Sequence, residues 1–132
     1  MQDRPTVREL LDAVRTFLEA DVVPALHGPA RFHALVAANV LAIAGRELAT
    51  EESDLGAEWR RLGTLLGVDT TEPPAGTEAL RAAVRAWNEA LAERIRRGDA
   101  DDGPYRDAVR AHLRATVVEK LRVANPRLVP VS

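Results

Sequence analysis

Wherever proline and glycine leave this chain uninterrupted, its apolar residues return every three or four positions, the period of an α-helix. The stretch from Thr6 to Val22 sets the pattern, with Val7, Leu10, Leu11, Val14, Phe17, Leu18 and Val22 on one stripe. Alternation with period two is nowhere sustained, so no sheet is expected. Alanine, leucine, arginine and glutamate supply the helix propensity. The expected fold class is all-α, a single-domain bundle of about five helices over the whole chain with a central apolar helix 2.

Punctuation sets the expected boundaries. Thr6-x-x-Glu9 is a capping box after Pro5 and starts the first helix, which ends at Pro24 and His27-Gly28-Pro29. The second runs from about Ala30 to Leu48 and is apolar nearly all round between Ala34 and Ala44. Thr50 precedes Glu51, Glu52 and Asp54, acids that suit a helix N-terminus, so a third helix is expected there. Its inward stripe is Leu55, Trp59, Leu62 and Leu66, and Gly67 stops it.

Residues 68–76 contain Asp-Thr-Thr-Glu-Pro-Pro-Ala-Gly and read as a loop. A fourth helix follows Thr77, with Leu80, Val84, Trp87, Leu91 and Ile95 inward, and ends at Gly98. Residues 98–103 form a polar turn, and Pro104 opens a fifth helix. Its expected inward residues are Tyr105, Val109, Leu113, Val117 and Leu121, and it stops before Asn125-Pro126. The apolar tail Arg127-Leu128-Val129-Pro130-Val131 is expected to dock on the bundle or on a partner. The Pro-Pro loop could divide a three-helix half from a two-helix half, but neither half would bury enough surface alone, so one domain is expected.

Composition narrows the function. With no cysteine, disulfides, thiolate metal sites and a cysteine nucleophile are all excluded. A net charge of −2 argues against nucleic acid as a partner. The N-terminus lacks the cationic and apolar segments of a signal peptide. The apolar run from Ala34 to Ala44 is roughly half the length of a membrane span. A cytoplasmic protein with no membrane partner is expected. Lys120 is the only lysine among 18 basic residues, which together with the abundant alanine reads as codon bias.

No self-sufficient chemistry emerges. Around His27, His33 and His112 the positions three and four residues away hold no histidine or carboxylate, so no metal site is expected. Ser53 and Ser132 are the only serines, and neither lies in a nucleophile elbow. No glycine-rich phosphate loop is present, and no cofactor is expected. The paired acids Glu51/Glu52 and Asp101/Asp102 stand where capping and solubility want charge. For His33 and His112 the default is a surface or partly buried imidazole with a hydrogen-bond partner.

Two features stand above this background. Asn39 shares a stripe with Phe32, Leu35, Val36 and Ile43, where an amide costs stability unless both ends are bonded. An internal bond fixing helix register is the favoured reading, with an interface or ligand as the other. Arg106, Arg110 and Arg114 stand four apart on one side of the fifth helix and repel one another. Pairing with acids of the same bundle is favoured, and an acidic partner or phosphorylated ligand is the alternative. Arg85/Glu89 and Glu93/Arg97, by contrast, are expected to neutralise each other.

Three segments together resemble a small bacterial family of helical proteins. They are Arg4-Pro5 with Leu10-Leu11-x-x-Val14-x-x-Phe17-Leu18, then Phe32-His33-x-x-Val36-Ala37-x-Asn39-x-Leu41-x-Ile43-x-x-Arg46-Glu47, and Lys120-Leu121-x-Val123-Ala124-Asn125-Pro126. Members are typically encoded beside aminoglycoside-phosphotransferase-like kinases and acyl-CoA dehydrogenases. The resemblance implies an accessory subunit of a kinase that phosphorylates the hydroxyl of a 4-hydroxyacyl-CoA. That kinase would provide the ATP and Mg²⁺ sites, and this chain would supply packing surface through His33, Asn39 and Arg46.

The expected function is therefore a non-catalytic accessory subunit of such a kinase in acyl-CoA catabolism. The alternative is a self-associating helical scaffold whose second helix and tail form a homodimer seam. A third reading is an enzyme with His33 or His112 in a site built across helices.

Overall fold

The computed structural model describes residues 3–131, and all regular structure among them is helical. Helix α1 spans Val7–Phe17, followed by a π-helical turn at Leu18–Val22 and a 3₁₀ turn at Val23–Ala25. Helix α2 spans Gly28–Leu66, α3 Thr77–Arg96 and α4 Gly103–Ala124, and a last 3₁₀ turn covers Pro126–Leu128. The all-α expectation holds, with α2 the longest helix.

The expected second and third helices are one continuous helix of 39 residues. Thr50 lies inside it. Its Oγ1 donates to the carbonyl of Arg46 at 3.3 Å, one turn back, a bond that a hydroxyl makes within a continuing helix. Glu51, expected at a helix start, lies mid-helix and pairs with Arg81 of α3.

By internal contact the chain divides into two compact units, the boundary falling inside α2. The first holds residues up to Thr50 with Arg122–Val129, and the second Glu51–Leu121 with the last residues of the chain.

The second unit has the conventional core. Trp59, Leu62 and Leu65 from α2 pack with Leu80, Val84 and Leu91 from α3 and Val109 from α4. Trp59 and Trp87 stack with ring centroids 5.3 Å apart. Helix α2 closes with two bonds of a Schellman motif, Val68 N–H to Gly63 carbonyl at 2.8 Å and Gly67 N–H to Thr64 carbonyl at 3.3 Å. Gly67 takes the left-handed φ of +70° that this turn requires. The last two carbonyls of the helix are occupied too, since Tyr105 Oη and Arg94 both donate to Leu65 and Arg94 also to Leu66.

The inward face of α4 differs from the expected one. Tyr105 and Val109 do turn inward, but Leu113 and Val117 are exposed and His112 is buried in their place. From Val109 onward the inward stripe steps to His112, Thr116 and Glu119, the first two each one residue before the expected position, and these three side chains all bond Arg61 of α2.

In the first unit only Val23 and Ala38 are buried among the described residues. Thr6 caps α1 as expected, accepting from Glu9 N–H at 3.2 Å. Leu11, Leu18 and Leu41–Arg46 are half-buried. The tail leaves Leu128 and Val131 exposed.

Candidate interaction surface and polar network

The first unit presents apolar residues where a folded domain normally presents polar ones. Along α1, Val7, Leu10, Val14 and Phe17 recur at intervals of three, four and three and are all exposed. Leu11 and Leu18, one position round the helix from this stripe, are half-buried. Helix α1 therefore has an inner apolar edge and an outer one, and only the inner edge is covered.

Helix α2 repeats the arrangement. Ala38 is 2% exposed, whereas Phe32 is 63% exposed and Leu35, Val36 and Val40 are exposed with it. His33 and Asn39 lie on this same open stretch. The ring centroids of Phe32 and His33 stand 6.0 Å apart. The internal hydrogen bond favoured for Asn39 is not among those the described residues make, and its amide faces outward. An open groove of about 1110 Å³ runs beside these helices, lined among others by Val7, Leu11, Leu41 and Leu48.

Arg46, the third residue of that group, has a partner. Its Nε donates to the carbonyl of Val123 at 2.8 Å, satisfying a late carbonyl of α4. It is a structural tie within the first unit, while His33 and Asn39 are exposed. The cationic row belongs to the second unit. Arg106 pairs with Asp107 at 3.2 Å, and Arg110 and Arg114 are exposed with no ion pair among the described residues. The pairs expected on α3 also differ: Arg96 takes Glu93, Arg97 takes Asp99, and Arg85 is in no ion pair among the described residues.

By length and composition α2 is the one described helix that could cross a bilayer. Arg31, His33, Asn39, Arg46 and Glu47 interrupt its apolar stretch, and such groups are costly in hydrocarbon.

A polar network inside the second unit went unseen in the sequence. The Arg61 guanidinium donates to both Glu119 oxygens, to Thr116 Oγ1 at 3.2 Å, and through Nε to His112 Nδ1 at 3.2 Å. Accepting at Nδ1 makes His112 the neutral tautomer protonated at Nε2. Burial above all, and then the charge of Arg61, hold its pKa below the ordinary imidazole value. His112 is only 4% exposed and sits in this network as a hydrogen-bonded core group. The signal was available: Arg61 lies three residues after Glu58 and four before Leu65, at the edge of the inward stripe.

Among the described residues no group of three or more histidines and carboxylates could hold a metal ion. Among the described residues no buried side-chain nitrogen or oxygen lacks a partner.

Residues 24–128 match a family described as a domain of unknown function, DUF6285, and the chain belongs to that family. No curated protein and no solved structure matches the chain significantly. The family match begins after α1, so it takes in the open face of α2 and the whole polar network.

Proposed function

Starting from that family membership, we propose that the chain is a non-catalytic accessory subunit of an aminoglycoside-phosphotransferase-like kinase that acts on a hydroxyacyl-CoA in the cytoplasm. One observation carries the reading: the first unit leaves the apolar edges of α1 and α2 uncovered while burying almost nothing of its own. An uncovered apolar face of this kind marks a protein interface. Covering Phe32, Leu35, Val36 and Val40 would contribute about 1.5–3 kcal/mol for each side chain fully buried, against the cost of association. The polar groups spaced along α2 favour a protein surface over lipid, because a partner can offer His33 and Asn39 hydrogen bonds.

The resemblance carried by Phe32-His33, Asn39 and Arg46-Glu47 supplies the identity of the partner. Its kinase brings the nucleotide and metal chemistry, and this subunit contributes position, by ordering a kinase loop or closing the acyl-CoA site. Co-expression with the neighbouring kinase tests this. A stable complex with higher activity than the kinase alone is expected, with none from the purified chain. A kinase fully active alone, never co-purifying with this chain, refutes it.

The three-four-three spacing of Val7, Leu10, Val14 and Phe17 favours a second reading, self-association through a coiled-coil-like seam. Light scattering separates the two. A tight homo-oligomer indifferent to the kinase supports the seam, and a chain that associates only when the kinase is present supports the accessory subunit.

A further inference from the structure

We draw no further inference here: the strongest candidate, the exposed stripe Val7, Leu10, Val14 and Phe17 of α1 with the open groove between that helix and α2, belongs to the interaction surface already described, and nothing in the structure shows what covers it.

Discussion

Both Nη atoms of Arg61 meet Glu119, at 2.8 and 2.9 Å, across 58 positions of sequence. The pair is a fork-to-fork contact between α2 and α4, with both side chains mostly shielded from water. Removing one partner leaves the other without its bonds, and that dominates the cost. Glu119→Ala should lower the unfolding free energy by about 1–3 kcal/mol in urea denaturation. Glu119→Gln, which keeps one acceptor, should cost less. A loss below about 0.3 kcal/mol for the alanine variant would place the pair with ordinary surface ion pairs and contradict this assignment.

The same network makes stability depend on pH through His112. Its folded-state pKa is depressed, first by burial and then by Arg61, with Glu58 and Glu119 opposing. As the pH falls below about 6.5, the unfolded chain takes up the proton that the folded chain resists. The unfolded state then binds more protons, so stability rises with pH across this window and is lost toward acid. The slope from this one group cannot exceed about 1.4 kcal/mol per pH unit, and above the window it vanishes. His112→Gln should remove it. A stability difference between the two proteins that stays constant from about pH 7.5 to 5.5 would show that the imidazole is not held neutral.

Two glycines of α2 should respond oppositely to alanine. A Cβ on Gly63 would collide with the Thr70 methyl and stand 3.2 Å from the Trp87 ring and 3.3 Å from the Val68 carbonyl. The carbonyl belongs to the turn that ends the helix and cannot rotate aside. Overpacking of about 1–3 kcal/mol should outweigh a helix-propensity gain of about 1 kcal/mol, so Gly63→Ala destabilises. On Gly56 the nearest atom is the Arg60 guanidinium at 3.5 Å, and Gly56→Ala should stabilise by up to about 1 kcal/mol. Urea midpoints that move the same way for both would refute the contrast.

These features differ in how far the sequence reveals them. Helical class, the Thr6 cap, the loop before Thr77 and the stripe Leu55-Trp59-Leu62-Leu66 are local signals, and the structure contains all of them. Thr50 defeats the same logic because a hydroxyl that caps a helix start also bonds one turn back inside a helix. The α4 face is a long-range matter. Leu113 and Val117 are the more apolar choice, but Arg61, half-buried beside Leu62, finds its acceptors in His112, Thr116 and Glu119. The apolar residues of α1 were legible as a stripe, but periodicity does not say which of two adjacent edges finds a partner.

That distinction governs the last prediction. Phe32, Leu10 and Val14 are exposed, so replacing any of them with glutamate removes little native packing. Stability should change by no more than about 0.5 kcal/mol. If these residues meet the kinase, each new carboxylate would be driven into an apolar contact without a counter-charge. Phe32→Glu should then abolish co-purification with the kinase while the chain itself stays folded and gains solubility. Leu62→Ala, at a fully buried position, should do the reverse, costing about 2–5 kcal/mol without touching the face. Two assays on one set of variants, thermal unfolding and capture by the tagged kinase, separate the effects. Should Phe32→Glu unfold the chain as readily as Leu62→Ala, the α2 face is part of the protein's own packing and the interface lies elsewhere.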